Sequence, residues 1–265
     1  MRILPTDGRL LGVQGGVLLP TSGPLFPSAN VLLPPGGGGG GEEGLPTEGL
    51  VLYLDGEDLG AVGDPIAAWT GRVGGDDATQ SNGGNRPAVV DWDGELKAAV
   101  FAGADYLTTS IVPATGAGGR TLLAVVRNAG VSGSSYDHVL QYGTLDTQRA
   151  YGLTSVTALF SYWGNDRYNG FMRSTDTVDT GAHVLVVAYD GTTDRLWRDG
   201  TLIVSETIAL DTGSTHGLKL GGRADGLAEF AQVEIAAVAA YDTFLDEETR
   251  DAAVTFLAER FGITL

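Results

Sequence analysis

The stretch that decides the fold is HVLVVAYDGTTDRLWRDGTLIVSE, which runs from His183 to Glu206. Its first part, up to Gly191, is apolar enough to form a strand at the centre of a sheet. The second part is typical of a β-hairpin, because Leu196 and Trp197 precede the polar turn Asp199-Gly200 and a second apolar pair follows it. This stretch therefore predicts successive strands joined by short polar turns.

Similar runs occur on both sides of this stretch. They are GLVLYLDG beginning at Gly49, RTLLAVVRN from Arg120 to Asn128, and QVEIAAVAAYD from Gln232 to Asp242. The runs recur at short spacing up to about Tyr241, with Gly/Asp turns and no helical pattern between them. Strands without intervening helices predict an all-β sandwich or jelly roll rather than an α/β fold.

One helix is predicted at the end of the sequence, in LDEETRDAAVTFLAERFGITL. Asp246 has the position of an N-cap, and the two glutamates that follow it would meet the positive end of the helix dipole. Gly262 is placed to end the helix. The predicted apolar face consists of Ala253, Phe256 and Leu257. A single amphipathic helix is expected to lie against the edge of the sandwich.

The first 48 residues have a different composition. Two apolar residues and a proline recur every seven residues, and prolines at this density exclude a helix and favour an extended chain. The triplets are Leu18-Leu19-Pro20, Leu25-Phe26-Pro27 and Leu32-Leu33-Pro34. Six glycines follow, from Gly36 to Gly41, and are typical of a flexible tether. We therefore predict an extended arm (1–35), a glycine-rich linker (36–48) and a β-sandwich domain (49–265).

Two interpretations of the arm are open. A low-complexity segment of this kind can be a disordered tail. Disordered linkers usually lack large apolar groups, however, and the arm carries leucine and phenylalanine at regular intervals. This favours a docking arm, whose anchoring residues are the nine members of the three triplets.

Composition excludes several function classes. The 265 residues contain 33 Asp and Glu against 16 Lys and Arg, which gives a net charge of −17. Such a surface repels phosphate, so no nucleic-acid partner is expected. The absence of cysteine excludes disulfides, iron–sulfur clusters and thiolate zinc sites. The N-terminus does not have the pattern of a secretory signal, and no apolar run is long enough to insert into a membrane.

The segments that follow the arm resemble a known family. GLVLYLDGEDL, DDATQ, VFAGADYL, SYWGND, LKLGGRADG and EFAQVEIAAVAAYDTFLDEETR occur in this order between Gly49 and Leu265. Together they are similar to the concanavalin A-like, laminin-G-type jelly-roll domain found in phage virion and bacterial surface proteins. The resemblance implies a two-sheet sandwich that often carries a carbohydrate or calcium site. The fold hosts lectins, hydrolases, adhesins and structural modules, so it does not select one function.

Catalytic motifs are incomplete in this sequence. Glycoside hydrolases of this fold often carry Glu-x-Asp-x-x-Glu, and the nearest match is Glu229, Ala231 and Glu234, which lacks the central aspartate. No Gly-x-Ser-x-Gly is present. The three histidines are scattered, and His183, at the start of a central strand, is expected to be a hydrogen-bonded structural residue. We therefore predict that the chain is not an enzyme.

Calcium binding is an open possibility. DGEDL, DDATQ and DWDGE offer clustered carboxylate oxygens, which Ca²⁺ prefers as ligands. Aspartate before glycine is also ordinary turn chemistry, and none of these segments completes an EF-hand. No set of metal ligands is predicted.

The predicted carbohydrate site is the aromatic segment FSYWGNDRYNGF, from Phe160 to Phe171. Aromatic faces stack on sugar rings, and neighbouring polar groups pair with hydroxyls. The candidate residues are Tyr162, Trp163, Asn165, Asp166, Arg167, Tyr168 and Asn169. An alternative is that Tyr162 and Trp163 continue a strand and fill the core, which would leave Tyr168 and Asn169 beyond the turn as the exposed pair.

These patterns lead to a functional hypothesis. We expect a phage virion protein, a decoration, fibre or spike of head or tail, whose arm binds capsid or tail proteins. The lectin-like domain would be exposed on the particle and would attach to host-surface carbohydrate, and repetition on the particle would add avidity. A homo-oligomer, for example a trimer, is expected. The alternative is a non-viral, secreted or surface lectin module that binds carbohydrate.

Overall fold

The computed structural model describes residues 11–14, 17–20, 44–129, 136–156, 162–167 and 170–265. The chain divides into two compact units, Met1–Gly40 and Gly41–Leu265. Each unit is described by itself. Among the described residues, no helix has the length and apolar character that crossing a lipid bilayer requires.

The described part of the first unit is a β-hairpin. Strand β1 (Leu11–Gln14) pairs antiparallel with β2 (Val17–Pro20), with Leu11 opposite Pro20. The sequence predicted an extended arm, and paired strands are one form of extended chain. Pairing is compatible with the proline because Pro20 ends its strand, where a missing N–H donor costs little. The anchoring residues Leu18, Leu19 and Pro20 belong to β2, whereas Leu25, Phe26, Pro27, Leu32, Leu33 and Pro34 lie outside the described residues.

The second unit is a sandwich of two antiparallel sheets, which confirms the predicted all-β fold. Among the described residues, sheet I has nine strands: β3 (Leu50–Asp55), β5 (Gly71–Val73), β7 (Ala88–Asp91), β8 (Lys97–Phe101), β10 (Arg120–Asn128), β15 (Ala182–Tyr189), β16 (Thr193–Arg198), β17 (Thr201–Thr207) and β19 (Val233–Tyr241). In the same part of the chain, sheet II has eight strands: β4 (Ala68–Trp69), β6 (Ala78–Thr79), β9 (Leu107–Thr108), β11 (Asp137–Gly143), β12 (Ala150–Val156), β13 (Tyr162–Asp166), β14 (Phe171–Thr177) and β18 (His216–Leu220).

The composition of the strands agrees with their positions in the two sheets. Sheet I runs β17-β16-β15-β10-β19-β3-β5, and β8 pairs with both β19 and β7. Its central strands, β10, β15 and β19, are almost continuously apolar because they are buried on both faces. Sheet II runs β14-β13-β12-β11-β18-β9-β6-β4 and alternates apolar and polar residues in its middle strands.

Two cores use opposite faces of sheet I. Along β10, Leu122, Ala124 and Val126 belong to the core between the sheets, whereas Leu123 and Val125 belong to a second core on the other face. This split follows from the two-residue period of a strand. The sheet is therefore buried on both sides.

Helix α1 (Glu247–Arg260) covers the second core. Its N-cap, Asp246, accepts a 2.8 Å hydrogen bond from the Thr249 N–H, as the sequence predicted. Ala253 and Leu257 are buried, Phe256 is half-buried, and Gly262 follows the helix with φ 67°. The expected position at the edge of the sandwich is wrong, because the apolar stripe packs on the outward face of sheet I.

The sandwich also begins earlier than Gly49. Leu45 is buried in the second core, and the Tyr241 hydroxyl donates a 3.1 Å hydrogen bond to the Pro46 carbonyl. The last residues of the predicted linker 36–48 are therefore packed on the domain. The last residue of α1 is bound to the end of β3, since Arg260 Nε donates to Asp55 Oδ2 over 2.6 Å.

Candidate functional site

The outward face of sheet II carries an unusual concentration of polar side chains. Leu140 and Tyr142 of β11 lie in the core between the sheets, so Gln141 points to the other face. The same alternation places Lys219 of β18 outward, between the core residues Leu218 and Leu220. We call the following group the sheet II cluster: His138, Gln141, Asp166, Lys219, Arg223, Asp225 and Glu229.

Gln141 and Asp166 meet across an intervening strand. Gln141 Nε2 donates a 2.8 Å hydrogen bond to Asp166 Oδ2, although β12 lies between their strands. Gly152 of β12 pairs with Gln141 at this point. A Cβ on Gly152 would lie 2.0 Å from the Leu140 carbonyl oxygen, so the backbone packing here requires glycine. Because Gly152 has no side chain, it also leaves room for the hydrogen bond between Gln141 and Asp166, which crosses β12 at this point.

His138 joins two of the three carboxylates of the cluster, Asp166 and Glu229. It is fully buried, and its Nε2 lies 2.9 Å from Glu229 Oε2 and 3.3 Å from Asp166 Oδ2. The hydrogen bond from His138 lowers the pKa of the Glu229 carboxyl, with a further contribution from the Arg223 charge and opposition from burial. His138 Nδ1 is buried and has no hydrogen-bond partner among the described residues.

The loop before β19 supplies the rest of the cluster. The Ala224 N–H donates a 2.8 Å bond to Gln141 Oε1, which fixes the loop over sheet II. Arg223 donates to both carboxylate oxygens of Asp225, over 3.1 and 2.8 Å. Burial raises the pKa of Asp225, but the bonds from Arg223 and the Leu227 N–H, together with the charge of Arg223, outweigh it and the net shift of the pKa is downward. Glu229 has φ 55°, in the left-handed region that a glutamate rarely adopts.

Glu229 is therefore held in a strained backbone conformation at the cluster. Strain of this kind persists only where surrounding contacts enforce it, and it is concentrated at binding and catalytic sites. The contacts that enforce it here are the bond with His138 and an ion pair of 3.7 Å with Arg223.

Two stacked aromatic pairs flank the cluster. Tyr136 and Phe171 stack with centroids 4.1 Å apart and planes 5° apart. On the other side, Tyr106 and Phe230 stack at 6.1 Å. All four rings are half-buried, so part of each faces solvent.

Lys219 connects the second aromatic pair to the cluster. Its Nζ lies 4.4 Å from the centre of the Tyr106 ring and donates a 2.9 Å bond to Thr108 Oγ1. Burial lowers the pKa of Lys219 to about 8, against the opposing charge of Asp225. The face thus combines aromatic rings with fixed carboxylates, an amide and cationic groups.

The residues of the predicted aromatic segment do not share one site. Trp163 is 1% exposed and lies in the core between the sheets. Asn165 also points inward, and its Nδ2 donates to both oxygens of Asp194 in sheet I, over 3.0 and 2.9 Å. Arg167 is 1% exposed and donates to Glu206 over 2.6 Å. In this conformation these three side chains cannot contact a sugar, because the segment forms β13 and turns every second residue inward.

Asp166 is the member of that prediction that the structure places in the outward cluster. Tyr162 begins β13, and nothing is described of its side chain; Tyr168 and Asn169 lie outside the described residues. The core-filling alternative agrees with the position of Trp163. His183 is hydrogen-bonded as predicted, to Asp199 and Asp179.

Sequence reasoning missed most of the cluster. Glu229 was noticed only as part of a motif with Glu234, but Glu234 lies in β19 of sheet I and binds Arg127 at 2.5 Å. His138 and Gln141 lie on β11, far in sequence from Arg223 and Glu229, and none of them carries a local signal. Alternation of polar residues with core residues in the middle strands of sheet II was the one usable clue.

The acidic segments considered for calcium are occupied by protein contacts. Asp55 binds Arg260 and Arg72, Asp76 accepts from Ser110, and Asp93 accepts from the backbone of its own turn. In the part of the chain that the structure describes, no group of three or more His, Cys, Asp or Glu side chains is arranged to hold a metal ion.

Comparison with known proteins gives matches of structure. No protein-family model matches the sequence, and no curated protein matches it. A structure of Trypanosoma rangeli sialidase matches with a TM-score of 0.55 and 16% identity, over 83% of this chain and 34% of the sialidase. A mutant of that sialidase displaying trans-sialidase activity matches with a TM-score of 0.57 and 16% identity, over 83% and 35%.

A third match is weaker. The CBM40 of Ruminococcus gnavus IT-sialidase, bound to α2,3-sialyllactose, has a TM-score of 0.48 and 17% identity, over 60% of this chain and 95% of that one.

The comparisons correct one prediction. The chain spans about a third of the length of the sialidases that it matches, and at this identity the likeness shows the fold alone. The structures matched are sialidases, which contradicts the prediction that the chain is not an enzyme: a missing hydrolase motif does not exclude catalysis in a chain with this fold. The chain has a β-sandwich fold that occurs within sialidases.

Proposed function

We propose that the second unit is a glycan-binding, lectin-like domain whose ligand lies on the outward face of sheet II. The observation that carries this proposal is the arrangement of two half-buried aromatic pairs, Tyr136–Phe171 and Tyr106–Phe230, on either side of a hydrogen-bonded polar cluster. The other sheet has its outward face covered by α1.

The chemistry of the face fits a sugar. The apolar face of a pyranose ring stacks on an aromatic ring, and the surrounding hydroxyls need fixed donors and acceptors. Glu229 and Arg223 are partly exposed and are held in place by His138 and Asp225. Side chains that are already fixed lose little conformational entropy when a ligand binds.

The structural matches support this proposal without deciding it. Sialidases act on glycans, and the part of them that this chain matches is about a third of their length. We propose that the domain acts as a glycan-recognition module.

The proposal is tested by measuring binding of the full chain to a panel of immobilised glycans and by titration calorimetry of the hits. Phe171→Ala removes one ring of the stacked pair and is expected to weaken binding about tenfold, the usual scale of one lost aromatic contact. Phe256→Ala is the matched control, because this half-buried ring lies on α1. Absence of binding to every glycan, or equal losses in the two variants, would contradict the proposal.

We further propose that the first unit anchors the chain to a virus particle through capsid or tail proteins. The supporting observation is that residues 1–40 form a separate unit whose described strand β2 carries the apolar residues Leu18 and Leu19. Deletion of residues 1–40 is expected to abolish incorporation into particles while circular dichroism still reports a folded sandwich. This second proposal includes the expectation that several copies of the chain are displayed on the particle, as a trimer or another oligomer.

A further inference from the structure

Arg173 is an exposed cation fixed on the first aromatic pair. It lies on β14 next to Met172, a core residue, so its side chain points outward with the sheet II cluster. Its guanidinium carbon lies 5.6 Å from the centre of the Phe171 ring, and its Nη2 donates a 3.4 Å hydrogen bond to the Tyr136 hydroxyl. The structure gives it no carboxylate partner among the described residues.

This absence is unusual in so acidic a chain. Most other described arginines lie within 4 Å of a carboxylate, as Arg195 does at 2.7 Å from Asp190. Three further cations, Arg86, Lys97 and Arg120, donate to backbone carbonyls instead. Arg173 and Lys219 are the described cations with neither kind of partner, and both lie on the outward face of sheet II.

The carboxylates of the cluster have partners already. Asp166 accepts from Gln141 and lies next to His138, and Glu229 binds His138 and Arg223. Arg173 therefore presents a positive charge that these acids do not directly neutralise. A guanidinium that has no carboxylate partner and lies beside an aromatic ring is suited to bind a carboxylate through two parallel hydrogen bonds.

We propose that the glycan bound by this face carries a carboxylate and that Arg173 binds it. The inference rests on the glycan-binding function proposed above and names its ligand class. The sugar ring would stack at the Tyr136–Phe171 pair, and its carboxylate would reach the adjacent guanidinium. Acidic sugars of this kind are uronic acids and sialic acids, which share the carboxylate chemistry.

The experiment compares each acidic ligand with a form that differs only in the carboxyl group. The probes are a sialylated trisaccharide and a uronic acid oligomer, each alongside its carboxyl-reduced form, in which the carboxylate is a primary alcohol. Affinities are measured by calorimetry for the full chain and for Arg173→Gln, Arg173→Lys and Arg149→Gln. Arg149 is a matched control, because it is a partly exposed arginine that pairs with Asp211 and lies in the turn between β11 and β12 rather than on β14.

The wild-type chain is expected to bind one of the two acidic ligands at least about tenfold more tightly than its reduced form, and the ligand preferred identifies the source. Arg173→Gln should remove this preference and leave binding of the reduced form unchanged. Arg173→Lys should keep part of the preference for the acidic ligand, since the positive charge remains but the paired N–H donors of the planar guanidinium are lost. Arg149→Gln should behave as the wild type.

Equal binding of acidic and reduced forms by the wild type would overturn the inference while leaving the proposed glycan-binding function intact. A preference that survives in Arg173→Gln would overturn the role of Arg173. Binding of none of the four probes, nor of any glycan on the panel, would overturn the proposed function and this inference with it.

Discussion

Glu229 Oε2 lies 2.9 Å from His138 Nε2, although 91 residues separate the two in the sequence. The contact joins the loop before β19 to the outward face of sheet II. It holds Glu229 in a left-handed backbone conformation and at the same time presents its carboxylate to solvent. The pair is thus the central structural element of the candidate site.

Glu229→Gln should destabilise the domain by about 1–2 kcal/mol at neutral pH, because an amide replaces a charged acceptor. The folded-state pKa of Glu229 is lowered. Its contribution is therefore present above the ordinary glutamate pKa and is lost as pH falls through the lower folded value. Urea unfolding at several pH values should show the wild type and the variant converging below about pH 4. A constant difference down to acid pH would show that the charge of Glu229 is not involved.

Gly152→Ala should destabilise the sandwich by about 1–3 kcal/mol, since the added Cβ meets the Leu140 carbonyl oxygen at 2.0 Å. It should also separate Gln141 from Asp166. Gly83→Ala is the matched control, because a Cβ there meets nothing within 4 Å. The midpoints of chemical unfolding measure both effects, and similar values for the two variants would disprove the packing argument.

Trp163→Ala should cost about 3–5 kcal/mol of stability, as expected for a large ring removed from a core. Phe171→Ala, on the outward face, should cost much less and should act on glycan affinity instead. Thermal unfolding and calorimetry together separate the two roles. A folded Trp163→Ala protein of unchanged stability that has lost glycan binding would restore the sugar-binding interpretation of Trp163.

His183 should make stability depend on pH in the opposite direction to Glu229. Its two ring nitrogens lie 2.7 Å from Asp199 and 2.8 Å from Asp179, so the protonated ring can donate to both. The bond to Asp199 raises the pKa of His183, with help from Asp179 and opposition from burial. The stabilisation is full below the ordinary histidine pKa of about 6.5 and is lost as pH rises through the higher folded value.

His183→Gln should therefore cost more stability at pH 5 than at pH 9. Unfolding by urea across this range measures the cost, and an NMR titration of the ring gives the folded pKa directly. A cost that does not change with pH, or a ring that titrates below its ordinary value, would be incompatible with the paired geometry.

The fold was predictable because it depends on local pattern. Apolar runs such as Arg120–Asn128, separated by polar turns, identify strands, and Asp246 with Gly262 marks the ends of the helix. The position of the helix was not predictable in this way. The middle of β10 is apolar at every position, so its sequence does not show that Leu123 packs towards the helix while Leu122 packs towards the other sheet.

The candidate site was mostly beyond sequence reasoning. Trp163 looked like a sugar ligand because aromatic and polar residues are adjacent there, but the two-residue period of a strand divides them between the core and the surface. Residues such as His138 and Glu229 become neighbours only through the order of strands and a long loop. A predicted strand order would have been needed to bring them together.

Helix α1 covers the outward face of sheet I, whereas the candidate site lies on the outward face of sheet II. A fluorophore or a surface linker attached at Thr255, an exposed position on the helix, would point away from Arg173 and the aromatic pairs. Immobilisation by that route should leave ligand capture intact, and the domain could be displayed in one defined orientation on a sensor chip.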